Sequence, residues 1–245
     1  MFKEFDLLTW ESKQVKTKLN ALLPLFEQVK AENSNIAISF SGGKDSTAAL
    51  LICLYFGLKP AVVWFNSGYE FPETETYIKQ IVSKYELELR EILPDIDPLQ
   101  KKISVGFFDL EAVNKANKEI LSVWHSTNKE YDCVITGLRQ QESKARRMMI
   151  GKNGQYFPNK SFQSNAFYPV AKFSAKEIFG IITGFGEEPH PIYQKAQTLD
   201  ERDWIRVNWY ILTSAERGFY TFLKIHYPEQ FRNLCIHVPK IRAYV

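Results

Sequence analysis

The stretch that most constrains this chain is Ser39-Phe40-Ser41-Gly42-Gly43-Lys44-Asp45-Ser46-Thr47. The apolar run Ile36-Ala37-Ile38 leads into it, and Ala48-Ala49-Leu50-Leu51-Ile52-Cys53-Leu54-Tyr55-Phe56, apolar on every side, follows it and is closed by Gly57. That order reads as buried strand, glycine turn and buried helix. Such a turn presents backbone N–H groups at the positive end of a helix dipole. Two adjacent glycines let the backbone approach a ligand closely, since no Cβ intervenes. Ser41, Ser46 and Thr47 add hydroxyls, Lys44 adds a positive charge and Asp45 can hold a divalent cation. The expectation is a site for a phosphate chain with Mg²⁺. The plainer alternative is an ordinary strand-to-helix turn with a serine cap. The motif is not a Walker A loop, because Asp45 rather than Ser or Thr follows Lys44, and it lacks the three spaced glycines of a dinucleotide fingerprint.

A second strand–helix unit follows. Ala61-Val62-Val63-Trp64-Phe65 reads as a buried strand. It ends at Asn66-Ser67-Gly68-Tyr69-Glu70-Phe71-Pro72-Glu73-Thr74, where Pro72, Glu73 and Glu75 suit a helix start. Two such units in succession imply a parallel sheet, with ligands beyond the carboxyl ends of the strands. Residues 87–91 read as a third strand and 94–105 as a loop with two prolines. Residues 109–128 read as a helix burying Leu110, Val113, Ile120, Leu121 and Trp124. Residues 131–136 are a further strand, ending at Gly137-Leu138-Arg139. From there Arg139, Lys144, Arg146 and Arg147 can face the same cleft and hold phosphates. For Lys144 and Arg147 a solvated helix face, with Glu142 paired to Arg146, explains the charges equally well. Residues 151–166 are polar and read as a loop, either a lid or plain surface. Phe167-Tyr168-Pro169-Val170 reads as a final short strand. Ser174-Ala175-Lys176-Glu177 is a capping box, with Phe173 and Ile178 as its staple.

The fold class expected is therefore α/β, a three-layer, doubly wound, mostly parallel sheet with a helical C-terminal extension. The divisions are 1–34 as a helical segment on the core, broken or bent near Pro24, 35–195 as the nucleotide-binding domain, and 196–245 as the extension. In that last part Trp204, Trp209, Tyr210, Phe219, Tyr220 and Phe222 read as packing rather than as a base-stacking platform. Its basic residues carry little weight for nucleic acid because they have no regular spacing. Cys53, Cys133 and Cys235 are scattered, which suits neither a disulfide framework nor a metal site and fits a reducing, cytoplasmic setting. The first residues carry acids where a secretory leader would be apolar, and no apolar run approaches the ~20 residues a membrane span needs. A net charge of +3 permits an anionic substrate without requiring nucleic acid.

Three separated stretches then agree. Ser41-Gly42-Gly43-Lys44-Asp45-Ser46 resembles the pyrophosphate loop of the N-type ATP pyrophosphatases. Asn66 to Thr74 is similar to that group's Asp-Thr-Gly-x-x-Phe-Pro-Glu-Thr segment, and Gly137 to Arg146 to its Gly-Leu-Arg-x-x-x-Ser-x-x-Arg segment. Pro189-His190-Pro191-Ile192-Tyr193 resembles its His-Pro-Leu-Tyr turn. Together they resemble the phosphoadenosine-phosphosulfate (PAPS) reductase-like branch of the adenine nucleotide alpha hydrolase-like proteins, over roughly residues 30–195. The resemblance implies ATP and Mg²⁺ as cofactors and cleavage of ATP between the α and β phosphates. Lys44, Asp45 and Arg139 would be catalytic. Ser39, Ser41, Gly42, Gly43, Lys44, Asp45, Ser46, Asn66, Gly137 and Arg146 would bind nucleotide, and Asp45 would hold the metal. Two departures stand out. The reductases carry a catalytic cysteine in a C-terminal Glu-Cys-Gly-Leu-His tail, which this chain lacks, and Cys235 is a poor substitute. Asn66 replaces the family's acid. Cluster-free members of the branch resemble the ATP pyrophosphatase component of DNA phosphorothioation systems, which implies DNA or RNA and a cysteine desulfurase or other sulfur-transfer protein as partners; reductases of the branch often form homodimers, an assembly open to this chain too. The alternatives are sulfonucleotide reduction through Cys235 and a nucleotide-binding subunit without turnover.

Overall fold

The computed structural model of the protein describes residues 2–160, 163–207 and 217–245; Trp209 and Tyr210 lie outside them. The chain opens with three helices, α1 (Phe2–Trp10), α2 (Lys13–Asn20) and α3 (Leu23–Glu32), the last with Pro24 in its first turn. The helical face expected to break or bend near Pro24 is broken just ahead of it, since proline is tolerated only where an N–H has no intrahelical partner. Then come β1 (Ile36–Ser39), α4 (Lys44–Tyr55), β2 (Ala61–Phe65), α5 (Pro72–Lys84) and β3 (Leu89–Ile92). They are followed by α6 (Pro98–Ser104), α7 (Leu110–Ile120), α8 (Ser122–Asn128), β4 (Cys133–Thr136) and α9 (Lys144–Asn153). The chain continues through β5 (Tyr156–Asn159), β6 (Ser164–Phe167), α10 (Ala175–Gly184), α11 (Leu199–Trp204), α12 (Arg217–His226) and α13 (Pro228–His237).

The sheet runs in the order β3-β2-β1-β4-β6-β5, parallel except for β5. The alternation of each strand sorts its residues between two faces. Ile36, Ile38, Val62, Trp64, Cys133 and Ile135 join the main core with α2, α3, α4, α5 and α10. Ala37, Val63 and Val134 face the other way, against Val123 and Trp124 of α8. Helices therefore cover both faces, and the expected doubly wound α/β fold is what the chain adopts. Between β1 and β4 the strand order reverses, and the connections leaving the two strands diverge. A second apolar cluster gathers Phe71, Phe219, Tyr220, Phe222, Leu223 and Leu234, so the described aromatics of the C-terminal part are packing. Among the described residues no helix is long and apolar enough to cross a membrane.

Several expectations need correction. The proline loop at 94–105 holds α6, whose N-cap Asp97 accepts from the backbone N–H of Gln100 and whose Pro98 fills the first helical position. Asp-Pro here starts a helix rather than a turn. The helix at 109–128 is two helices, and Leu110, in the first turn, is 48% exposed beyond the packed region. The polar stretch 151–166 is not one long loop: α9 runs to Asn153, β5 and β6 pair antiparallel, and the short strand lies at Ser164–Phe167 rather than at 167–170. Pro158 is accommodated because β5 is an edge strand, where one N–H is dispensable. The capping box at Ser174 and Glu177 forms as expected.

Helix α1 docks against α10 through close approach at two glycines. A Cβ on Gly184 would stand 2.1 Å from the Trp10 ring, and one on Gly180 would stand 3.0 Å from the Asp6 carbonyl oxygen. At this contact the buried carboxylate of Asp6 receives both terminal nitrogens of Arg202, at 2.9 and 2.7 Å. The Arg202 guanidinium also lies 3.6 Å over the Phe179 ring. Removing one partner leaves the other charged and dry. Asp6→Ala is expected to lose about 3–5 kcal/mol of stability, measured by denaturant unfolding. A loss under about 1 kcal/mol would show the pair to be dispensable.

Candidate functional site

A cleft of about 710 Å³ opens beyond the carboxyl ends of β1, β2 and β4, at the place where the strand order reverses. Ser39, Ser41, Gly43, Lys44, Asp45, Ser46, Gly137 and Arg146 line it. Gly42 stands beneath the turn with φ +73°, a conformation that strains any side chain, and an added Cβ would meet Ile78 at 3.1 Å. Arg139 is buried behind Asp45, in contact with it. Asn66 is not among the lining residues. Its amide donates to Glu91 at 2.6 Å, and its carbonyl oxygen accepts from the Gly68 N–H. Lys144 and Arg147 are exposed on α9, outside the cleft. Arg146 pairs with Glu142, the helix-face arrangement weighed from the sequence.

The glycine turn is held by its own hydroxyls. Ser41 Oγ accepts from the Gly43 N–H at 3.3 Å and contacts Ser46 Oγ at 3.2 Å, while Ser46 Oγ donates to the Gly43 carbonyl at 3.0 Å. The Lys44 N–H, the first of α4, donates to the phenol of Tyr193 at 3.0 Å. Thr47 turns inward and is fully buried, so it offers no hydroxyl to the cleft. Gly137 is where β4 meets this turn. A Cβ there would lie 2.5 Å from the Asp45 carbonyl carbon and the Ser46 nitrogen, so the residue after β4 abuts the first turn of α4.

Four charges meet at this junction. Lys44 Nζ lies 3.0 Å from Asp45 Oδ2, donates to the Asp203 carbonyl at 3.0 Å and approaches Asp203 Oδ1 at 3.4 Å. Arg139 Nε contacts Asp45 Oδ1 at 2.6 Å, off the angle of a hydrogen bond, and Nη2 donates to Asp203 Oδ1 at 3.0 Å. Burial opposes the charge on Arg139, but Asp45, Asp203 and Glu142 outweigh it and hold the guanidinium pKa above its ordinary value. Asp203, on α11, was not found from the sequence, because nothing local marks it. The same holds for Thr136. Its hydroxyl is buried without a partner, as is that of Ser39, and the two residues are neighbours in the register of β1 and β4. Both line the cleft, opposite an apolar wall of Phe65, Leu121 and Trp124. Ile205, Arg206 and Val207 close the other side.

That closing segment is anchored by a hydrogen-bond relay. Thr74 Oγ1 donates to the Val207 carbonyl at 2.9 Å, so it accepts from His190 Nε2, 3.1 Å away. His190 Nδ1 in turn accepts from the Ile192 N–H at 3.2 Å. These bonds require neutral imidazole with its proton on Nε2. Burial agrees, pushing the His190 pKa down to about 4. All three cysteines are buried and none lines the cleft; burial raises the Cys53 and Cys133 thiols, the reverse of a nucleophile's environment.

Comparison with known proteins adds the following. The profile of the phosphoadenosine phosphosulfate reductase domain matches residues 35–233. The tRNA(Ile)-lysidine synthase of Yersinia pseudotuberculosis is 29% identical over 145 residues, 54% of this chain and 31% of that protein, so the chain spans about a third of that relative. Among solved structures, the PAPS reductase of Candida auris, a phosphate complex, superposes with TM-score 0.56 at 12% identity, covering 82% of this chain and 97% of that one. The FMN adenylyltransferase of Candida glabrata, in complex with ATP, gives 0.53 at 16% identity, covering 79% and 65%.

Two outcomes are expected. The folded pKa of His190 lies below its ordinary 6.5, so as pH falls the unfolded chain takes up this proton first. The contribution is complete above pH 6.5 and is lost as pH falls through about 4, a loss of up to about 3 kcal/mol. Unfolding measured against pH should show this limb in the wild type and a flatter one in His190→Gln; identical slopes would refute it. Gly137→Ala, which drives a methyl into backbone, should lower the melting temperature by several degrees and abolish nucleotide binding. Unchanged ATP affinity in that variant would contradict the geometry.

Proposed function

The chain belongs to the phosphoadenosine phosphosulfate reductase domain family, and from that premise we propose that it is an ATP pyrophosphatase that adenylates an acceptor. The observation that carries the reading is the meeting of Lys44 and Asp45 on the lining with Arg139 buried behind Asp45, at a glycine turn at the strand-order switch, in a cleft no cysteine lines. Sulfonucleotide reduction needs a thiolate at the reacting sulfur. Cys235 is buried in the second apolar cluster instead. The Candida glabrata adenylyltransferase, whose fold this chain shares, is in complex with ATP.

In this reading the β and γ phosphates of ATP rest on the Gly42-Gly43 turn, with Ser41 and Ser46 as donors. The nucleoside lies over the ends of β1 and β4. Ser39 Oγ and Thr136 Oγ1 hydrogen-bond to it, and its base meets Phe65, Leu121 and Trp124. Lys44 and Arg139 stabilise charge developing between the α and β phosphates. Mg²⁺ would be held by Asp45, the carboxylate on the cleft lining beside the glycine turn, because this ion takes one or two carboxylates together with phosphate oxygens; both Asp45 oxygens now face cations, Lys44 and Arg139, so the ion would share the carboxylate with them. When bound, the ion neutralises the leaving pyrophosphate. The acceptor attacks the α phosphate, forming an acceptor–AMP bond as the α–β bond breaks and pyrophosphate leaves. Exposed Arg206 stands on the cleft lining, with Arg146 there paired to Glu142, and a nucleic-acid backbone would meet Arg206 first, so DNA or RNA is the acceptor class proposed. The tRNA(Ile)-lysidine synthase relative, named for a tRNA, points the same way. Sulfur incorporation, as in phosphorothioation, would then require a separate donor such as a desulfurase.

Incubation with labelled ATP and Mg²⁺, with and without DNA or tRNA, should yield AMP and pyrophosphate, stimulated by nucleic acid. Asp45→Ala should abolish turnover, and Lys44→Ala or Arg139→Ala should lower kcat/KM about 10²–10³-fold. Cys235→Ser should keep full activity. ADP and phosphate as products would sink the proposal, and sulfite release from PAPS that is lost in Cys235→Ser would replace it with reduction.

A further inference from the structure

We propose that the Asp203 carboxylate is a built-in competitor that takes the anion's place between Lys44 and Arg139 and so sets the affinity a phosphate ligand must exceed. This rests on the phosphate reading of the cleft and extends it to a residue of the C-terminal part. Lys44 is 1% exposed and Arg139 is buried, so neither cation can swing out to meet a ligand. Two charges this dry need counter-charges. Asp45 and Asp203 supply them, and the four charges sum to zero. A carboxylate facing two cations presents oxygens much as a phosphate does, so a phosphate reaching Lys44 and Arg139 must take over one carboxylate's position.

The two carboxylates differ in their freedom to leave. Asp45 stands in the first turn of α4, whose backbone is wedged against Gly137. Asp203 stands in the last turn of α11 with its side chain 45% exposed. Its backbone is fixed independently, on one side by the neighbouring Arg202 in its buried pair with Asp6, and at its own carbonyl by Lys44 Nζ. The side chain can therefore rotate into solvent while α11 stays in place. Lys44 and Arg139 both keep Asp45 when that happens.

The consequence is a threshold. A lone sulfate or phosphate exchanges one anion for another at the same two cations and gains little. A pyrophosphate chain brings further oxygens to Ser41, Ser46 and the turn, and exceeds the threshold. As pyrophosphate departs, the carboxylate returns to the cations and opposes rebinding.

Calorimetric titration of the full chain with Mg²⁺-pyrophosphate and with sulfate tests this in the wild type, Asp203→Asn, Asp203→Ser and Asp203→Glu. Removing the charge in Asn or Ser should tighten pyrophosphate binding about 10-fold and bring sulfate binding into a measurable range. The Glu variant, which keeps a competitor, should stay within about 3-fold of the wild type. Serine repeats the removal should the asparagine variant fail to fold. Equal pyrophosphate affinities in wild type and both neutral variants would overturn the competitor role while leaving the phosphate site standing. Weaker binding in the neutral variants would make Asp203 a supporting ligand and overturn it as well. Absence of pyrophosphate binding in all four proteins would remove the phosphate reading and this inference with it.

Discussion

The arrangement on which the rest of the site depends is the neutralisation of two buried cations by two carboxylates from distant parts of the chain. Lys44 and Arg139 leave water almost completely, at a cost that no single partner offsets. Asp45 is adjacent to Lys44 in sequence, so that pair forms with the helix itself. Arg139 reaches Asp45 only because Gly137 lets the end of β4 close on the first turn of α4 with backbone against backbone. Asp203 arrives from α11 and completes the balance. The parallel sheet is the frame that brings these elements together. The charges in turn define which edge of that frame is polar.

The chain from His190 onward is more than an appendage to this frame, because its contacts reach the cleft at three levels. Tyr193 receives the first N–H of α4 and lines the cleft beside it. His190, through Thr74, fixes the Val207 carbonyl and with it the wall formed by Ile205, Arg206 and Val207. Arg202 is clamped by Asp6, which sets the position of α11 and hence of its neighbour Asp203. Each tie uses a buried polar group whose partners are complete only in the assembled fold, and such groups specify one arrangement sharply.

What was legible in the sequence follows the range over which each feature is encoded. The turn at Gly42-Gly43, the cap at Ser174 and the strands around them are local, written in adjacent residue types, and Arg139 was legible because it follows a strand end. Family resemblance added the His190-Pro191 turn as a motif, but its meaning, a neutral imidazole at the head of a relay, depends on Thr74 and Val207. Asp203 and Thr136 carry no local mark; their place comes from helix docking and strand register, while Tyr193 was marked as the end of the His190-Pro191 turn but its bond to the Lys44 N–H was not. Helix α6 and strand β5 were hidden for another reason. Pro98 and Pro158 each have two meanings, and only the helix cap at Asp97 or the edge position of β5 decides between them. Asn66 shows the converse, a motif position whose side chain turns to Glu91 rather than to the cleft.

The docking of α1 has a consequence for how the chain is made. Asp6 and Arg202 are separated by 196 positions, and the groove at Gly180 and Gly184 that receives Trp10 belongs to α10. During synthesis at roughly 5–20 residues per second, α1 therefore waits on the order of ten seconds or more for its seat. Throughout that interval the carboxylate of Asp6 and the indole of Trp10, which the docked helix covers, are presented to the surroundings of the ribosome. A helix made ahead of the sheet is thus secured only after α10 and α11 have followed it, so it needs shelter on a crowded nascent chain.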